Sequence, residues 1–98
     1  MKLVWSPYAL EDRRAIFTYL EGYDPAAAAD TDEMIEASVH NLRSYPNMGR
    51  RGRVEGTREL VVIGTPFIIA YTVMPDRVKL LRVLHGARAW PSSMPEIN

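Results

Sequence analysis

The sequence predicts an α+β domain of order β-α-α-β-β-β, with a two-helix antiparallel hairpin packed on a small, curved, mainly antiparallel sheet. Three observations carry this. Ser6-Pro7 and Asp24-Pro25 are two helix-start signals close together in the first part of the chain. After Gly49 the apolar period changes from about 3.6 residues to about 2. Short turn segments separate the later apolar runs. At 98 residues the chain is expected to be one domain, 1–98.

Leu3-Val4-Trp5 is the first, short strand. Ser6 is the N-cap and Pro7 the first residue of helix one. Ala9, Ile16, Tyr19, Leu20 and Tyr23 fall near helical spacing, flanked by Arg13 and Phe17. Asp24-Pro25 repeats the start, and four alanines, the best helix formers, follow. Ala28, Thr31, Ile35, Ser38 and Leu42 form the buried stripe of helix two, widened by Met34 and Val39. Only a few residues join the helices, so they pack antiparallel. Pro46 and Gly49 close this half.

Glu59–Ile63, Ile68–Val73 and Val78–Leu84 are rich in β-branched and apolar residues. Gly64-Thr65-Pro66 and Met74-Pro75-Asp76 are turns, so the three strands form an antiparallel meander. The first strand is expected to add beside it, parallel to one edge. Strict alternation in the last strand sets Val78, Leu80 and Leu84, with Arg82, on one face. It sets Lys79, Leu81, Val83 and His85 on the other. From Pro91 to Asn98, two prolines and little apolar content predict a flexible tail, or one extended along a partner.

With no cysteine, disulfides and thiolate metal sites are excluded. No metal site and no cofactor are expected, because no His/carboxylate spacing, Walker loop, GxSxG or GxGxxG motif is present. The opening lacks a signal-peptide core and no run spans a bilayer, so a cytoplasmic location is expected. Net charge is zero but divided: residues 1–45 hold four basic groups against eight acidic ones, and residues 46–98 eight against four. Either a basic sheet face or an acidic helical layer complementing the sheet follows from this.

Chemistry-bearing residues gather in the second half. Gly49-Arg50-Arg51-Gly52-Arg53 is either an anion-binding nest or a turn with solvated charges. Arg58 presents a planar fork to phosphate or carboxylate, or else pairs with nearby acids. His85 is either an acid/base near neutral pH or a hydrogen-bonded structural residue. Arg88 is placed to bind an anion. Trp90 stacks on a base, anchors an interface, or plugs the core beneath the helices.

In their order and spacing these segments resemble the RelE/ParE superfamily of bacterial type II toxins, over nearly the whole chain. The match runs through Trp5-Ser6-Pro7 with Ala9, Asp24-Pro25 and its alanines, Leu42, Pro46 and Gly49-Arg50. It continues through Gly56-Thr57-Arg58-Glu59-Leu60, Tyr71 and Val83-Leu84-His85-Gly86-Ala87-Arg88. The resemblance implies a cognate, ParD-like antitoxin that wraps its C-terminal segment around the toxin. It implies one of two activities: metal-free cleavage of mRNA in the ribosomal A site, or binding of DNA gyrase that blocks replication.

The sequence departs from the ribonuclease pattern. Ile68 stands where those members often carry arginine, the tail has no tyrosine or histidine, and only Lys2 and Lys79 are lysines. Arg58, His85 and Arg88 would be a reduced catalytic set. The gyrase-directed reading is therefore preferred, with Arg58, His85, Arg88 and Trp90 as target contacts. Arg13, Phe17, Tyr19, Leu20, Tyr23, Arg50 and Arg82 are expected to face the antitoxin, because one thin sheet cannot bury all those aromatics. A binding module without toxicity is a third reading, separated by growth on induction.

Overall fold

Ser6 and Asp24 each open a helix, as their places before proline predict. The Ser6 hydroxyl accepts from the Ala9 amide at 3.0 Å, and one Asp24 oxygen accepts from Ala26 and Ala27 at 3.0 and 3.3 Å. The computed structural model describes residues 1–94. Its elements are β1 (Lys2–Trp5), α1 (Pro7–Glu21), α2 (Pro25–Asn41), β2 (Arg50–Arg51), β3 (Arg58–Val61), β4 (Phe67–Val73) and β5 (Arg77–His85). They form one sheet of order β1-β5-β4-β3-β2, with β1 parallel to β5 and the other pairings antiparallel. The α+β expectation holds, including the parallel edge strand. The two-residue β2 was not anticipated, since Arg50-Arg51 carries no apolar alternation.

The core lies between the helix hairpin and one sheet face. Ile35, Val39 and Leu42 of the α2 side meet Ile69 and Tyr71 of β4 and Val78 and Leu80 of β5. Met34, expected to widen this stripe, is instead exposed. In α1 the stripe divides: Ala9 is buried and Ile16 packs on the core, but Tyr19 and Tyr23 are 61% and 76% exposed. The helix outruns the sheet it covers.

Tyr71 fastens the connection after α2. Its buried hydroxyl accepts from the Gly49 amide at 2.9 Å and donates to the Pro46 carbonyl at 2.8 Å. A Cβ on Gly49 would stand 2.6 Å from that hydroxyl, so only glycine allows the approach.

The strict alternation expected of β5 fails at one place. Ala70 pairs with Arg82 but Tyr71 with Leu80, which leaves Leu81 as an extra residue on β5. Such a bulge reverses the faces beyond it. Val83 therefore joins Leu80 in the core under the helices, and His85 lies beside Phe67 there, while Leu81 and Leu84 belong to the outer face. Arg82 turns to Asp12 of α1, its Nε donating at 2.7 Å.

Of the expected flexible tail, residues 91–94 are described. Met94 is only 6% exposed and packs with Ala70 and Leu81 on the outer sheet face, joined by Val54, Leu84 and Trp90. Apolar residues of the outer face, Ala70 and Leu81 with Leu84 brought there by the bulge, give this segment something to cover. Residues 95–98 of the expected tail lie outside the described residues. Trp90 is thus not beneath the helices but on the opposite side of the sheet. Among the described residues no helix is long and apolar enough to cross a membrane.

Leu42→Ala is expected to lower unfolding free energy by about 2–4 kcal/mol, because the cavity opens in the packed layer. Urea denaturation checks this against Leu10→Ala, where the half-exposed side chain is expected to cost far less.

Candidate functional site

The part of α1 that outruns the sheet forms one wall of a groove of about 620 Å³. Ile16, Tyr19 and Leu20 supply that wall at spacings of three and four residues, one helix face. The floor and opposite wall come from Pro66 and Phe67 at the start of β4, Val83–His85 at the end of β5, and Arg88 with Ala89 beyond it. Asp12, Ala15, Thr31, Gly64 and Thr65 complete the lining. The surface is mainly apolar with a cation and an imidazole at one side.

One local hydrogen bond orients His85. Its Nδ1 accepts from the Ala87 amide at 3.1 Å, which puts the proton of the neutral ring on Nε2. Its ring meets Phe67 edge-on at 5.9 Å. The same turn brings the Arg88 amide to the His85 carbonyl at 3.2 Å, and leaves the Arg88 side chain exposed and unpaired among the described residues. An occupant of the groove therefore meets apolar side chains, an imidazole N–H donor and a guanidinium.

Of the residues singled out in the sequence, Tyr19, Leu20, His85 and Arg88 come together here. Ile16, Pro66 and Phe67 belong with them. The helical spacing of Ile16 with Tyr19 and Leu20 was a usable signal; the part of Phe67 depends on sheet register. Tyr23 meets Tyr19 at a tilt, ring centres 5.2 Å apart, outside the lining, and Phe17 is half-buried on α1. Arg13 is committed between the helices, bonded to Asp32 and Glu36 and lying 4.6 Å over the Trp5 ring. Arg82 is committed to Asp12, whose hydrogen bond, against the cost of burial, raises the guanidinium's pKa.

Arg58 does not reach this groove. It pairs with Tyr71, four residues along β4 from Phe67, which pairs with His85. That is about 13 Å of strand rise. Its Nη1 donates to the Gly49 carbonyl at 2.8 Å and more weakly to Asn47 at 3.4 Å. The alternative of a salt bridge with nearby acids is not realised among the described residues. Glu59 is taken by Arg50 and Arg53 instead.

Glu59 organises the outer face. Its side chain is 2% exposed and accepts from Arg50 Nη2 at 3.0 Å, Arg53 Nε at 3.0 Å and the Arg53 amide at 2.8 Å. Arg53 in turn lies 3.7 Å over the Trp90 ring, and Trp90 Nε1 donates to the His85 carbonyl at 3.3 Å. Burial pushes the Glu59 carboxyl up, but the Arg53 and Arg50 hydrogen bonds outweigh it and hold the group below its ordinary value of 4.5.

A group with a lowered folded value stabilises above its unfolded value, and that contribution is lost as pH falls through the folded one. Stability from Glu59 should therefore be complete at neutral pH and decline below pH 4.5. Glu59→Gln is expected to cost about 2–3 kcal/mol at neutral pH, less than a fully buried pair because both arginines are partly solvated. Urea unfolding at pH 7 and in acid should show the difference between the proteins shrinking at the lower pH.

Comparison with known proteins gives a consistent set of likenesses. The family model described as "ParE toxin of type II toxin-antitoxin system, parDE" matches residues 3–90. "Putative toxin Y4kP" of Sinorhizobium fredii is 40% identical over 90 residues, covering 92% of this chain and 93% of that protein. "Toxin RelE2" of Caulobacter vibrioides is 34% identical over 87 residues, covering 89% and 97%. A chain of the chromosomal ParDE TA system from P. aeruginosa superposes with a TM-score of 0.80 at 26% identity, covering 87% of this chain and 95% of that one.

Proposed function

The chain belongs to the ParE toxin family of type II toxin–antitoxin systems, and from that premise we propose that a ParD-like antitoxin neutralises it through the α1–β5 groove and that its target is DNA gyrase. An amphipathic antitoxin helix suits the groove's chemistry: apolar residues lie on Ile16, Tyr19, Leu20 and Phe67, and an acid meets Arg88 and the His85 N–H. Because Arg88 and His85 line the groove, an occupant covers two of the candidate target contacts. Neutralisation by occlusion follows without any change of fold.

The gyrase assignment rests on one observation, the separation of the reduced catalytic set. Cleavage of RNA needs a base, phosphate-stabilising cations and a proton donor around one phosphate. Arg58 is anchored on backbone carbonyls at one end of β3–β4, while His85 and Arg88 stand at the other. Ile68, on the strand between them, is buried and offers no charge. This arrangement suits a protein-binding surface better than an in-line transfer site.

Purified chain is expected to inhibit gyrase supercoiling and trap cleaved DNA, with relief by the antitoxin. A-site cleavage of mRNA on translating ribosomes, with gyrase untouched, would replace this reading. Arg88→Ala should keep its melting temperature yet weaken growth arrest on induction, since only an exposed charge is lost; full arrest by that variant would remove Arg88 from the target contacts. Tyr19→Asp should lower antitoxin affinity by at least 10-fold, about 1.4 kcal/mol, which calorimetry reads directly.

A further inference from the structure

The Gly49–Arg53 segment and Arg58 have no part in the groove, yet they build a second concavity. It measures about 590 Å³ at the end of the sheet where β3 begins and β4 ends, and its lining includes Arg51, Arg53, Thr57, Arg58 and Thr72. We propose that this concavity binds the phosphodiester backbone of a nucleic acid strand, with Arg51 and Arg58 gripping the phosphate together.

The first support is an arrangement that costs stability unless something uses it. Arg51 and Arg58 stand directly opposite each other in the β2–β3 register. Directly opposed residues bring their Cβ atoms within about 5 Å, and like charges there repel. Among the described residues neither arginine has an ion-pair partner, and the adjacent acid, Glu59, is shared by Arg50 and Arg53. An anion between the two guanidiniums turns that repulsion into shared attraction.

The second support is preorganisation. Arg58 is tethered by Nη1 to the Gly49 carbonyl at 2.8 Å, so its guanidinium is already placed before a ligand arrives. The turn that sets Arg51 across from it is equally tight. The Gly52 amide donates to the Thr57 carbonyl at 2.8 Å, and a Cβ at Gly52 would collide with the Thr57 hydroxyl at 2.2 Å.

Charge count selects the ligand class. Three arginines line the concavity against one exposed acid, Glu55, and two of them, Arg51 and Arg58, have no ion-pair partner among the described residues, while Arg53 shares Glu59 with Arg50. A lone peptide carboxylate satisfies one guanidinium, whereas a phosphodiester chain delivers successive charges along the wall and accepts bidentate Arg bonds. DNA and RNA share that chemistry, so the source is left to the measurement.

The test is fluorescence anisotropy of the full chain with labelled duplex DNA, single-stranded DNA and RNA of one length and sequence, across a salt series. At least one is expected to bind, and the tightest names the source. Arg51→Gln is the decisive variant, since that side chain is exposed and bonded to nothing among the described residues. It should weaken binding about 5–10-fold at low salt and reduce the slope of log affinity against log salt by about 1. Arg58→Gln should do the same wherever its melting temperature shows a folded chain. Arg14→Gln, on the helical layer and paired with Glu11, should leave both readouts alone. No binding by any of the three nucleic acids, an unchanged Arg51→Gln, an equal loss from Arg14→Gln, or equal competition by polyglutamate at matched charge would each overturn the proposal.

Discussion

Ser6 and Asp12 hold α1 against β5 at the one place where β5 carries an extra residue, and most of the molecule's surface chemistry depends on it. β1 accompanies β5 only as far as Leu80. Beyond that point the strand's edge groups need other partners. The Ser6 hydroxyl donates to the Leu81 carbonyl at 3.0 Å, and Asp12 accepts from the Val83 amide at 2.9 Å while pairing with Arg82. The bulge between these two fastenings decides that His85 emerges on the helical side, into the groove, and that Leu84 joins Leu81 on the other.

That reversal explains both faces of the sheet. On the inner side, α1 passes the end of the sheet and leaves Tyr19 over a gap that Phe67 and His85 close from below. On the outer side, Leu81, Leu84 and Ala70 make an apolar strip that Trp90 and Met94 cover. Glu59 steadies this cover indirectly. It fixes Arg53, and Arg53 lies flat on Trp90, so a buried carboxylate on β3 helps seat a residue beyond the end of β5.

The divided charge of the sequence also acquires a specific form. Only Asp12–Arg82 joins the helical layer to the sheet by an ion pair among the described residues. Arg13 is neutralised within the helices, and Arg50 and Arg53 share the single carboxylate of Glu59 within the sheet. The basic half therefore does not present an even positive face. Arg88 remains at one end, beside the groove, and Arg51 with Arg58 at the other. The two ends of the sheet offer different chemistry: an apolar cleft with one cation, and a polar cleft with several.

Local chemistry in the sequence determined the elements. Ser-Pro and Asp-Pro starts, an alanine-rich second helix, apolar alternation and Gly/Pro turns act over a few residues, so helices, meander and fold class were legible, as was the excess of aromatics on α1. Tertiary structure alone decided which of those residues share a site. The bulge is flanked by hydrogen bonds from side chains of Ser6 and Asp12 about seventy residues away in sequence, and period-2 reasoning cannot see it; the same is true of the burial of Met94, which needs the outer-face strip that Leu84 joins through the bulge. Arg58 looked like a companion of His85 and Arg88 because chain order carries no information about which end of a strand a residue occupies. Its separation from them, and its apposition to Arg51, follow from hydrogen-bond register between strands, a property of pairs of segments rather than of either segment alone.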